Sequence, residues 1–287
     1  MLEPDSQGET SVAPSQFQID TFTLKYNPKE TLPPDKVAKL MGFEAGAVIN
    51  TRRVLLENPL AEMGILDLGV GTGIHLVSAA MRIQELDNVS LRGVDIDTRA
   101  IATAQQNLDR LIQSLSLPHK PNLDLKVGDW LNVDFWRTLS QKFDVILFNP
   151  PYLPTGEKVR DGYSEVPEQT MYGPDSDGLG HYRAVLPHLP ALLKDEEGAT
   201  ILVRYPNFLN SPSSRNDSIQ GLLQELLYSM TTQSLGVTSG GIPVLNPIGD
   251  NRDYSVASFT RGERYHFIRP EDLTKLLPGI KKYGRII

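Results

Sequence analysis

Ile65-Leu66-Asp67-Leu68-Gly69-Val70-Gly71-Thr72-Gly73-Ile74 passes through three kinds of local structure. Ile65 to Leu68 is a short apolar run, which suits a strand covered on both faces. Gly69, Gly71 and Gly73 follow at once, and glycines let a backbone turn tightly and approach a ligand closely. Ile74, Leu76, Val77, Ala80 and Ile83 then recur at helical spacing. Strand, glycine turn and helix make the first unit of a nucleotide-binding α/β fold. The spacing is G-x-G-x-G, not the dinucleotide fingerprint G-x-G-x-x-G. Tight strand-to-helix turns need glycine in any case, so the glycines alone say little. Asp67 says more, because a carboxylate at the end of a buried strand needs a partner. A cationic ligand or the turn amides would serve.

The pattern repeats downstream. Leu91-Arg92-Gly93-Val94-Asp95 reads as a second strand ending in an acid. Asp95 stands where a carboxylate accepts hydrogen bonds from two ribose hydroxyls, with helix capping as the plainer role. Asp97 or Thr98 then caps a helix whose apolar face is Ala100, Ile101, Ala104, Leu108 and Leu111. Leu123 to Val127 alternates as a third strand, followed by Gly128-Asp129-Trp130. Asp129 could accept from an adenine amino group, with Trp130 or a neighbour against the ring. It could equally cap a helix before Phe135-Trp136.

The fourth strand is Val145-Ile146-Leu147-Phe148, and it runs into Asn149-Pro150-Pro151-Tyr152. Proline cannot donate to a sheet ladder, so the strand stops at Asn149. The residue before each proline is pushed to extended backbone, so this turn is stiff. It lies at the carboxyl edge of a core strand, where open α/β sheets bind ligands. The Asn149 side-chain carbonyl and the Pro150 backbone carbonyl are acceptors, and Tyr152 offers an aromatic face. Together they would hold a planar NH2 group.

Composition narrows the choices. The chain has 287 residues, with 40% hydrophobic and 22% charged, so a folded core is expected. The formal net charge of −7 argues against broad nucleic-acid binding, which usually needs a basic face. Cysteine is absent, which excludes disulfides and thiolate metal sites. The five histidines show no metal-ligand spacing, and each reads as a surface or capping residue. No run is long enough to cross a membrane, and the N-terminus is polar rather than signal-like, so the expected compartment is the cytoplasm.

Four segments are expected: residues 1–20 as a disordered tail, 21–62 as a lead-in covering the site, 63–268 as the main domain, and 269–287 as a C-terminal helix with a basic end. Within the lead-in, one short helix from Asp35 through Met41 and a second from Ala45 to Glu57 are expected. Pro187 and Pro190 should interrupt a helix over Tyr182 to Leu193. Ala199 to Val203 should be a fifth strand, with Ile242–Leu245 and Tyr254–Phe259 as a last pair.

Taken together, the chain resembles the class I S-adenosylmethionine-dependent methyltransferases, and within them the HemK-type protein-glutamine N5-methyltransferases. Asp67 to Gly73 matches that family's first motif, Asp95 its ribose acid, and Asn149-Pro150-Pro151-Tyr152 its catalytic motif. Asp177-Gly178-Leu179-Gly180-His181-Tyr182-Arg183 resembles its Asp-Gly-Leu-x-x-Tyr-Arg segment, and Gly249 to Arg252 its Gly-x-x-Arg. The family's fifth strand usually ends in Glu-x-Gly, where this chain has Arg204-Tyr205-Pro206. The resemblance implies a Rossmann-like α/β fold: a mostly parallel seven-stranded sheet, helices on both faces, and an antiparallel last strand. It implies S-adenosylmethionine bound by Asp67, Gly69, Gly71, Gly73, Asp95, Asp129, Trp130 and Asn149, with Asn149, Pro150 and Tyr152 catalytic and no metal. The implied acceptor is a glutamine amide of a protein, such as a translation factor or ribosomal protein. An RNA or DNA base amine, adenine N6 or guanine N2, is the alternative.

Overall fold

The structure is a computed structural model. It describes residues 14–56, 61–83, 86–115, 120–156, 166–206, 209, 218–233, 237–244 and 254–261. The expected C-terminal helix, the basic end and Gly249 to Arg252 lie outside these residues.

Strands β1 (Ser15–Ile19) and β2 (Phe22–Tyr26) form a hairpin turned by Asp20, whose φ is 48°. Residues 15–19, expected within a disordered tail over 1–20, instead form β1, because Ile19, Phe22 and Leu24 reach the core. Helix α1 (Lys36–Leu55) begins after Pro33-Pro34, and the Asp35 side chain accepts from Ala38 N at 2.8 Å, as a helix cap.

The two lead-in helices expected from sequence are one. Gly42 and Gly46 lie inside α1 and face helix α2 (Ile74–Arg82). A Cβ on Gly42 would stand 2.3 Å from the His75 carbonyl oxygen, and one on Gly46 2.7 Å from that of Ala79. Glycine inside a helix costs about 0.5–1 kcal/mol relative to alanine. Here it permits close helix contact, which burial of both backbones offsets.

The remaining strands are β3 (Met63–Leu68), β4 (Val89–Asp95), β5 (Asn122–Val127), β6 (Val145–Phe148), β7 (Thr200–Pro206), β8 (Val237–Val244) and β9 (Tyr254–Arg261). They form one sheet in the order β5-β4-β3-β6-β7-β9-β8. The β3, β4, β5, β6 and β7 neighbours pair in parallel, and β9 runs antiparallel to both β7 and β8. The seven strands and the reversed strand match the expectation. The order changes direction between β3 and β6, the place where open α/β sheets bind ligands.

Each face has its own core. Helices α1, α2 and α3 (Thr98–Leu115) cover one, with Met41, Ile49, Leu76, Leu108 and Leu111 buried there. Short helices α4 (Val133–Thr138), α5 (Gly180–Val185) and α6 (Leu189–Leu192), with α7 (Ile219–Gln233), cover the other, where Tyr182, Leu189, Leu223 and Leu226 pack. Between α5 and α6 lies a 3-10 turn over Leu186–His188, the interruption expected from Pro187 and Pro190. Among the described residues, no helix is long and apolar enough to cross a membrane.

Candidate active site

A cavity of about 610 Å³ opens at the carboxyl ends of the parallel strands, within the usual size of a small-molecule site. Each strand sends its following turn into the wall: Gly69 to Thr72 after β3, Asp95 to Asp97 after β4, Gly128 to Leu131 after β5, and Asn149 to Leu153 after β6. Thr31 to Asp35 line it from the lead-in, and Gln169 to Tyr172 from the loop after β6. The parallel register puts these turns at one edge, and so brings residues from four strand ends together.

Gly69, Gly71, Asp95, Asp129, Trp130, Asn149, Pro150 and Tyr152 all line the cavity. Asp95 Oδ2 accepts from Gly71 N at 2.9 Å and Oδ1 from Asp97 N at 3.0 Å. Burial raises the Asp95 pKa above its ordinary 3.8, and the backbone donors of Asp97 and Gly71 partly offset this. Asp97 accepts from Arg99 N at 2.8 Å and from Arg99 Nη2 at 2.6 Å, so it caps α3. The Arg99 hydrogen bond, the largest cause, lowers the Asp97 pKa.

Asp67 and Gly73 sit behind the wall. Gly73 holds φ 80° at the start of α2, and a Cβ there would press on Ala104 at 3.1 Å. Asp67 is fully buried and takes neither a turn amide nor the solvent; His75 Nδ1 lies 2.9 Å from its Oδ1. The glycine turn is braced from outside, since Asn107 Nδ2 donates to Thr72 O at 3.0 Å and to Lys25 O at 2.7 Å.

Asp129 does not cap α4. Its Oδ1 accepts from Leu131 N at 2.9 Å, while Asn132 makes the cap by accepting from Asp134 N at 3.0 Å. Trp130 is buried edge-on against Phe148, with ring centroids 6.0 Å apart, and its Nε1 donates to His181 Nδ1 at 3.0 Å. Burial lowers the His181 pKa, which favours the uncharged ring that this hydrogen bond requires. The faces left beside Asp95 and Asp129 are those of Ile96 and Leu131, which line the cavity and are about half exposed.

The Asp-Gly-Leu segment supports the proline turn. Gly178 has φ 75°, and a Cβ on it would stand 2.3 Å from the Tyr152 carbonyl oxygen. Asp177 Oδ1 accepts from Leu179 N at 2.9 Å and Asp175 Oδ1 from Gly180 N at 2.7 Å, while Arg183 pairs with both carboxylates. A tight, ion-paired turn is thus pressed against Tyr152.

Sequence reasoning missed Ile96 and Leu131, which carried no signal, and three titratable or charged wall residues. His75 and His181, read as surface or capping positions, are buried and line the cavity. Arg204, noticed only as a departure, lines it too and places Nη2 2.8 Å from Asp35 Oδ2, tying the lead-in to β7. Only the charged residue at a strand end could have pointed to Arg204. His75 and His181 had no such signal.

Residues 43–164 match the family model for the methyltransferase small domain. A release factor glutamine methyltransferase from Geobacter sulfurreducens is 33% identical over 131 residues, 45% of this chain and 41% of that protein. A tRNA1(Val) (adenine(37)-N6)-methyltransferase from Vibrio vulnificus is 35% identical over 96 residues, 33% of this chain and 35% of that protein. The chain thus spans less than half the length of these two curated relatives. Among solved structures, the type I restriction-modification methyltransferase subunit of Streptococcus thermophilus aligns with a TM-score of 0.54 at 19% identity, over 90% of this chain and 54% of that one. A Listeria monocytogenes structure assigned to the class I S-adenosylmethionine-dependent methyltransferases aligns at 0.51 and 15%, over 90% of this chain and 73% of that one. The fold is that of the class I methyltransferases.

Proposed function

We propose that this chain is an S-adenosylmethionine-dependent N-methyltransferase and that its acceptor is a glutamine side-chain amide of a protein. One observation carries the reading: the glycine turn with Asp95 and the Asn149-Pro150-Pro151-Tyr152 turn face the same cavity. A donor site and an acceptor site must share a space for a methyl group to pass between them.

The residues present fit the cofactor. Asp95 is fixed by two backbone donors and still has lone pairs for a ribose diol. Ile96 and Leu131 offer apolar faces for an adenine, with Asp129 beside them. When bound, S-adenosylmethionine supplies an electrophilic methyl group on a sulfonium. The protein's part is position and electrostatics. The Asn149 side-chain oxygen and the Pro150 carbonyl accept both hydrogens of the acceptor NH2, which fixes its plane. They also stabilise the positive charge that grows on nitrogen as it attacks. Tyr152 packs on the planar group. The extra proton leaves to water after transfer, so no strong base is required beforehand. Thr31 to Asp35 form part of the roof, in keeping with residues 21–62 as a covering lead-in.

The acidic chain and the Asp177 to Arg183 segment favour a protein acceptor, such as a translation factor or ribosomal protein. Likeness to the glutamine-methylating relative supports it over a longer stretch than likeness to the adenine-methylating one. An adenine or guanine amine is the second reading, and the Vibrio relative, named for adenine N6, supports its adenine form. Incubation with methyl-labelled cofactor and cell extract, followed by mass spectrometry, separates them. Label on glutamine upholds the first reading; label on a base and none on glutamine replaces it with the second.

Asp95→Ala is expected to weaken cofactor binding by roughly 1–3 kcal/mol through loss of charge-assisted hydrogen bonds. Wild-type affinity should also depend on pH. Ribose hydroxyls bind the ionised carboxylate, so affinity is full well above the raised Asp95 pKa and falls as pH drops through it, beginning above the ordinary 3.8. Calorimetry across pH with wild type and Asp95→Asn checks both. Equal affinity at every pH for both proteins would remove Asp95 from the site.

A further inference from the structure

We propose that His181 is a positioning residue for methyl transfer: its ring ties the turn after β5, on the cofactor side of the cavity, to the loop that holds Tyr152, on the acceptor side. This rests on the function proposed above. His181 stands at one of the two unspecified positions of the Asp-Gly-Leu-x-x-Tyr-Arg pattern, so the pattern itself gives it no part.

His181 belongs to α5 and is buried in the cavity wall. Its Nδ1 accepts from Trp130 Nε1 at 3.0 Å, across 51 residues of chain. An indole nitrogen only donates, so Nδ1 carries no proton and Nε2 does. The ring's other hydrogen bond is to the Tyr172 backbone, whose carbonyl oxygen accepts that proton. The stretch around Tyr172 is in turn bound to the acceptor turn: Leu153 N donates to Met171 O and Gly173 N to Leu153 O, both at 2.9 Å. Tyr152 directly precedes Leu153. A path of hydrogen bonds therefore runs from the Asp129-Trp130-Leu131 wall to the Tyr152 turn, with His181 in the middle.

A neutral imidazole in this tautomer accepts on one side and donates on the other, which a space-filling side chain cannot do. A doubly protonated ring would set its own N–H against the Trp130 N–H and break the link. Burial lowers the His181 pKa; the charges of Asp175, ahead of α5, and Asp129, after β5, and the Tyr172 carbonyl partly offset this. Arg183 of α5 pairs with Asp175. The link is therefore whole at neutral pH and is lost as pH falls through a value below the ordinary 6.5. Spacing matters because methyl transfer joins two bound groups, and a misplacement of about 1 Å can cost about 10²-fold in rate.

Nuclear magnetic resonance of the nitrogen-labelled protein reads the link without any ligand. The Trp130 indole N–H, told from that of Trp136 by Trp136→Phe, should shift with a midpoint below the ordinary histidine value. Exchange protection of the Leu153 and Gly173 amides should fall with the same midpoint, by roughly threefold to tenfold. His181→Phe keeps a ring but neither nitrogen. In it the titration should vanish, and those two amides should already exchange faster at neutral pH while the Leu66 amide of β3 keeps its protection. The same variant should lower transfer of labelled methyl to extract protein by roughly 10- to 100-fold, with S-adenosylhomocysteine affinity within about threefold. His181→Gln, whose amide nitrogen reaches the place of Nε2 and donates to Tyr172, should recover part of the loop protection and of the turnover. A Trp130 signal that stays fixed in the folded protein over about pH 8 to 5 would overturn the proposal. So would wild-type turnover in His181→Phe, or a loss of protection spread evenly over the chain. Wild-type protein that titrates as expected but methylates neither glutamine nor a base would instead refute the function proposed above, and the part of His181 in it.

Discussion

Asn149→Ala should lower turnover by roughly 10²- to 10³-fold while leaving cofactor affinity within about threefold. An amide nitrogen is a poor nucleophile because its lone pair is delocalised. The Asn149 oxygen matters most when charge builds on that nitrogen, so its loss falls on the transition state more than on binding. The turn itself should survive. Pro150 and Pro151 still restrict the backbone, and Gly178 still packs against the Tyr152 carbonyl. Single-turnover rates and calorimetry on the same preparation separate the two effects. A variant with wild-type turnover would show that Asn149 does not hold the acceptor.

Asp144→Ala should remove about 3–5 kcal/mol of folding stability by taking the buried carboxylate from Arg52 Nε and from the Gly64 N–H. Asp144 is 0% exposed and immediately precedes β6. Its Oδ1 accepts from Arg52 Nε at 2.8 Å; its Oδ2 accepts from Gly64 N at 2.7 Å and lies 2.9 Å from Lys194 Nζ. One carboxylate therefore joins α1, β3 and the segment after α6. Arg52 is 1% exposed, and without Asp144 its Nε loses its acceptor, although Nη1 still donates to the Glu196 and Glu197 carbonyl oxygens. A second change, Arg52→Met, should restore much of the stability, since replacing both members of a buried pair by apolar groups is often neutral. Urea denaturation of the single and double variants measures this. A loss below about 1 kcal/mol in Asp144→Ala would show that water or a rearranged side chain takes over its role.

The parallel strands and their edge were legible because the signals are local. Ile65 to Leu68 and Val145 to Phe148 are short apolar runs, each ended by residues that cannot continue a ladder: glycines after one, prolines after the other. The helix caps at Asp35 and Asp97 and the break at Pro187 and Pro190 follow from chemistry within a few residues of each position. Asn149, Pro150 and Tyr152 could be placed at the cavity because a proline turn after a core strand has few places to go. Asp129 was harder, since a helix cap and an Asx turn use the same carboxylate, and Asn132 took the cap.

What tertiary structure decided lies between residues far apart in the chain. The helices expected through Met41 and from Ala45 left a gap at Gly42, yet α1 is unbroken and α2 presses against Gly42 and Gly46. Trp130, expected beside a ring, lines the cavity, and only the fold shows that His181 of α5 takes its N–H. Arg204 had no visible partner until Asp35 met it across the fold. His75 looks like any other histidine until the fold buries it beside Asp67 in the cavity wall. Local sequence sets backbone conformation and the face a side chain presents. Which buried polar atoms are satisfied depends on neighbours that the chain brings together only when the sheet and its two helical layers close.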